Sequence, residues 1–120
     1  MVVLKSSWEI ARMRQAGRIV ARVLEALREH ARAGITTAEL DAIAAKIIKQ
    51  ENATPSFKGY RGYPAAICSS INEEIVHGIP GPRRLQEGDI LSIDVGAIYK
   101  GYHGDAAITV GIGQISEEAR

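Results

Sequence analysis

Residues 90–110 read ILSIDVGAIYKGYHGDAAITV, two apolar runs that meet at Tyr99-Lys100-Gly101. Branched residues alternate with small or polar ones on both sides of a glycine-containing joint, a pattern that predicts an antiparallel hairpin. In the first run Leu91, Ile93, Val95 and Ala97 point one way, and Ile90, Ser92, Asp94, Gly96 and Ile98 the other. In the second run Tyr102, Ala106, Ile108 and Val110 share a face, opposite His103, Asp105, Ala107 and Thr109. One face is apolar and suited to cover by helices. The other carries both aspartates. If Tyr99-Lys100 forms the loop, Asp94 lies directly opposite Asp105. If Lys100-Gly101 forms it, Asp94 opposes Ala107 and Asp105 is its diagonal neighbour. Either register sets the two Cβ atoms about 4.5–8 Å apart on one face.

Carboxylates inside runs this apolar are uncommon unless something pairs with them. Like charges at this spacing repel, and a divalent cation reverses that penalty. Carboxylate oxygen is also a donor that hard or borderline metals favour. The plain alternative is a solvated face, because antiparallel sheets often wet one side. His77, in IVHGIPGP, is by itself an ordinary loop histidine. Together, His77, Asp94 and Asp105 place three metal-capable side chains in one glycine-punctuated region. Gly78, Gly96 and Gly104 there allow close approach of backbone or substrate.

Upstream, Ser6 and Glu9 form a capping box, with Ile10, Met13, Gly17, Val20, Leu24 and Leu27 following at helical spacing. They predict a helix over about residues 6–33, stopped by Gly34. Thr36 and Glu39 open a second helix over about 36–52, with Leu40, Ile43 or Ala44, and Ile47 on its buried stripe. Residues 53–63 read as loop, and a short strand follows at about 65–70. The stretch NEEIVHGIPGPRRLQEGD is broken by Gly and Pro and turns more than once. Ser116 with Glu117 and Glu118 looks like the opening of a third helix. The expected fold class is α+β: one domain of residues 1–120, with two helices on one face of an antiparallel sheet spanning about 64–112.

Composition narrows the function classes. With 46% hydrophobic residues, 24% charged residues and a net charge of +1, the chain is ordinary globular material. That charge gives no bulk attraction to nucleic acid or membrane, so neither is an expected partner. Arg83 and Arg84 read as a solvated turn, not a phosphate patch. The single cysteine, Cys68, fits a reducing compartment, and no signal or membrane-length apolar segment is present; a soluble, cytoplasmic protein is expected.

The run YPAAICSSINEEIVHGIPGPRRLQEGDILSIDVGAIYKGYHGDAAITVG, residues 63–111, closely resembles type I methionine aminopeptidases of the bacterial kind. HGIP, IDVG and GYHGDAA stand at that family's spacing, and the upstream helices and the PSFKGYRGYP loop match as well. The resemblance implies half of a pita-bread fold and a two-metal hydrolase that removes N-terminal methionine from peptides and nascent chains. It implies that Asp94 is a bidentate metal ligand and Asp105 a bridging one. The divalent ions would be Mn, Co, Fe or Zn. It places His77 against the substrate as a catalytic group, and Phe57, Tyr60, Tyr63 and Cys68 around the methionine side chain. For Cys68, plain strand packing stands beside that role. His103 is implied as a supporting or substrate-side group.

Members of that family run to about twice this length, and the motifs of their second half are not found here. The chain ends at SEEAR, where the family's third helix begins, as a truncated or engineered half would. The expectation is therefore a homodimer about a true two-fold, sharing Asp94, Asp105 and His77 from both copies, with His77 then also a metal ligand. The alternative is an inactive half that binds metal weakly or needs a complementary half.

Overall fold

A computed structural model describes residues 6–57, 65–72 and 78–113. Helix α1 runs Ser7–His30 and α2 Thr37–Gln50; the strands are β1 Thr54–Pro55, β2 Ile67–Ile71, β3 Ile90–Tyr99 and β4 Tyr102–Gly111. The capping box at α1 forms as expected, with Glu9 N donating to Ser6 Oγ and Ser6 N donating to Glu9 Oε1. The helix ends at His30, earlier than residue 33, and Gly34 takes φ +98° in the turn that follows. At α2, Thr36 Oγ1 accepts from Glu39 N.

All strand pairing is antiparallel and centres on β3. One edge of β3 pairs with β4 from Ile90 to Tyr99. The other edge is shared end to end: β2 pairs with Leu91–Val95 and β1 with Ala97 and Ile98. Strand β1 lies inside the stretch expected to be loop. Its two residues carry little pattern of their own, and β3 recruits them by ladder bonding.

The helices cover one face only. Ile19, Val23 and Leu27 of α1 and Leu40, Ala44 and Ile48 of α2 are buried with Ile67 and Ile71 of β2. Leu91, Ile93, Val95 and Ala97 of β3 complete the core, as their alternation required. Burying each Val, Leu or Ile among them contributes about 1.5–3 kcal/mol. The α1 stripe is displaced at its start: Ile10 and Met13 remain 40% exposed, because the buried face begins at Ala16. Tyr102 instead meets this end of the helix edge-on, with its ring centroid 6.3 Å from that of Trp8. Its hydroxyl donates to Glu9 Oε2 at 3.2 Å. Among the described residues no helix is long and apolar enough to cross a membrane.

Two polar devices fix the sheet. In the first, Asp41 of α2 accepts from the backbone N–H of Ala66 (2.8 Å) and Ile67 (3.1 Å), satisfying the start of β2. In the second, Asp89, only 7% exposed, accepts from Gln86 N at 2.8 Å and Asn72 Nδ2 at 3.1 Å. Asn72, at φ +58°, in turn accepts from Ile90 N at 2.8 Å. The segment after residue 77 is stapled to the α1–α2 turn. There Gly81 N donates to Thr37 Oγ1, and Arg84 Nη1 donates to Gly34 O. Arg83 and Arg84 themselves are exposed.

Gly104 faces α1 so closely that a Cβ would lie 2.9 Å from the Ala16 carbonyl carbon and 3.0 Å from Gly17 N. These are backbone atoms that cannot turn aside. Gly104→Ala is therefore expected to lower the unfolding free energy by about 1–3 kcal/mol, read as an earlier urea midpoint at unchanged slope.

The Gln86 backbone N–H holds the Asp89 carboxyl below its usual pKa, helped by the Asn72 amide and the Arg83 charge and opposed by burial. A depressed folded pKa stabilises the fold above the unfolded value, about 3.9, and that contribution is lost as pH falls through the folded value. Asp89→Ala should cost about 1–3 kcal/mol at neutral pH. It should also flatten the acid limb of stability against pH, measured by urea melts from neutral pH to below pH 4.

Candidate metal centre

The connection Lys100-Gly101 decides the geometry of the open face. Both residues have positive φ, +49° and +86°, as a two-residue type I′ turn requires. Tyr99 therefore pairs with Tyr102, Asp94 with Ala107 and Asp105 with Gly96. Of the two registers the sequence allowed, this is the one that makes the aspartates diagonal neighbours. Both are exposed on the face that the helices leave uncovered.

Asp94 and Asp105 line one open cavity of about 360 Å³ with Phe57, Val95, Ala106 and Ala107. Neither carboxylate has a hydrogen-bond or ion-pair partner among the described residues. Two carboxyl groups thus share a face and a cavity, with no ion pair to either among the described residues. The donor set is carboxylate oxygen at a diagonal sheet spacing, and this fits a divalent cation. It is not a complete set: among the described residues no cluster of three or more His, Cys, Asp or Glu could hold an ion. A closed coordination sphere needs donors beyond these two carboxylates.

Three further site residues, Cys68, Phe57 and His103, are described. Cys68 is half-buried on β2 and is the register partner of Asp94, on the side away from Ala107. Phe57, just beyond β1, forms a wall of the cavity. His103 shares the open face with Asp105, and its Nε2 lies 3.1 Å from Ser56 Oγ. Tyr60, Tyr63 and His77 lie outside the described residues, as does the helix expected from Ser116. Ser56 carries no signal in the sequence pattern, because its partner stands far along the chain at His103.

Residues 11–120 match metallopeptidase family M24. A methionine aminopeptidase of Clostridium acetobutylicum is 58% identical over 120 residues, covering 99% of this chain and 48% of that protein. Methionine aminopeptidase 1 of Bacillus subtilis is 54% identical over 118 residues, again covering 48% of the relative. Among solved structures, the methionine aminopeptidase of Rickettsia prowazekii superposes with a TM-score of 0.92 at 33% identity, over 99% of this chain and 48% of that one. The chain thus spans about half the length of the relatives it matches.

Diagonally placed carboxylates oppose one another until a cation joins them. Asp94→Asn is expected to raise the stability of the metal-free chain slightly, by less than about 1 kcal/mol. The same substitution should weaken the stabilisation that millimolar Mn²⁺ or Co²⁺ confers, so thermal melts with and without metal give effects of opposite sign.

Proposed function

The chain belongs to metallopeptidase family M24 over residues 11–120 and folds as half of the pita-bread architecture, and from that premise we propose that it supplies one half of a metal-dependent methionine aminopeptidase site. The observation that carries the reading is the cavity shared by Asp94 and Asp105. These two side chains would hold a pair of divalent ions, Mn, Co, Fe or Zn. When bound, such ions lower the pKa of water and polarise a peptide carbonyl.

The chain's own side chains do the rest. Phe57, with Tyr60, Tyr63 and Cys68, surrounds the methionine side chain; aromatic rings and a soft thiol suit a thioether. His77 donates a hydrogen bond toward the attacked carbonyl, where negative charge develops. The substrate is the free N-terminus of a peptide or nascent chain carrying an initiator methionine, in the cytoplasm.

The missing donors come from a second copy of the chain. Two facts support this. The described residues give only two ligands on an open face. Also among them, β4 pairs on one side only, and an unpaired ten-residue edge favours association. A two-fold then contributes Asp94, Asp105 and His77 twice, and His77 serves as ligand as well as substrate contact. A second reading, a complementary half in place of a second copy, is supported by relatives of about twice the span.

The test is release of free methionine from a Met-Ala peptide by the 120-residue chain with Mn²⁺ or Co²⁺, alongside light scattering. Metal-dependent release by a species of twice the chain mass, lost at least about a hundredfold in Asp105→Ala, is expected. A monomer with full activity removes the shared site. Activity that returns only on adding the second half of a relative supports the complementary-half reading.

A further inference from the structure

Gly96 lies between the two aspartates on the open face, opposite Asp105 in the ladder and two residues beyond Asp94. The space a side chain would fill there is already taken. A Cβ at Gly96 would stand 2.1 Å from Ser56 Oγ, 3.2 Å from His103 Nε2 and 3.4 Å from Ser56 Cβ. The Ser56 hydroxyl and the His103 ring meet above this glycine, at 3.1 Å. Ser56 is also tied from below, its N–H donating to Gly96 O at 3.1 Å.

The bond therefore crosses the full width of β3. Ser56 extends β1 at one edge, and His103 belongs to β4 at the other. Strand β1 alone holds that edge by only two register pairs, Thr54 with Ile98 and Pro55 with Ala97. The next residue after Ser56 is Phe57, the cavity wall beside both aspartates. A second, side-chain tether immediately before a wall residue fixes where that wall stands, and small displacements of such walls alter side-chain selection.

We propose that Ser56 and His103 form a strap over Gly96 that positions Phe57, so that Ser56 is a specificity-determining residue acting through Phe57. This makes His103 a positioning residue held by Ser56. The inference rests on the aminopeptidase reading only for the identity of the side chain selected; the strap itself is a property of the fold.

The test uses Ser56→Ala, Ser56→Thr and Gly96→Ala in the full chain, with two readouts. The first is hydrogen exchange of the residue 56 and 57 amides without metal or substrate. Ser56→Ala and Gly96→Ala should speed it about three- to tenfold, and Ser56→Thr, which keeps the hydroxyl, should not. The second is the ratio of kcat/KM for methionine over leucine at the peptide N-terminus. It should fall severalfold in Ser56→Ala through KM, with kcat little changed, and recover in Ser56→Thr. Exchange at these amides unchanged in both Ser56→Ala and Gly96→Ala overturns the strap. Faster exchange with an unaltered methionine-to-leucine ratio overturns the specificity role. Exchange that responds as expected in a chain that releases no methionine supports the strap and counts against the aminopeptidase reading instead.

Discussion

The two-residue turn at Lys100-Gly101 is the constraint on which the site depends. With side chains alternating at period two, a slip of one residue would move Asp94 and Asp105 to opposite faces of their ladders. The positive φ at both turn residues forbids that slip. It fixes Asp105 across from Gly96 and Asp94 across from Ala107. The same register presents Leu91, Ile93, Val95 and Ala97 to the helices, so core burial and carboxylate placement are enforced by one alignment.

Around that alignment, glycine is used where two surfaces must come closer than a side chain permits. Gly104 lets the backbone of α1 press onto β4, and Gly96 clears the ground where Ser56 meets His103. The two lie on opposite faces of the same hairpin, one serving packing and the other the cavity. Neither needs a positive φ; what matters at both is the missing Cβ.

The sequence carried the helices and hairpin plainly because their information is local. Caps at Ser6 and Thr36, alternation through residues 90–110 and the glycine turn each lie within a few residues of what they determine. The aspartate pair was legible for the same reason. What escaped the pattern is set by distant partners. Strand β1 exists because β3 offers an edge to Thr54 and Pro55. Ile10 and Met13 obey helical spacing yet stay exposed, because the sheet beneath α1 begins to cover it only at Ala16. Asp41, Asp89 and Ser56 look like ordinary polar residues until Ala66, Asn72 and His103 arrive beside them. The register was ambiguous for a narrower reason: lysine is not a residue that announces a positive φ, and Lys100 adopts one because Gly101 completes the turn.

The contact between Tyr102 and Glu9 joins positions 93 residues apart, and α1 packs mainly against β4, the last strand described. On a ribosome, then, the first helix emerges long before the surface that receives it. The part of its apolar face that meets the sheet must wait uncovered until the hairpin has left the exit tunnel, with only α2 to pack on before then. Assembly of the core is thereby timed by the hairpin, and α1, made well before it, completes its burial only when β4 arrives.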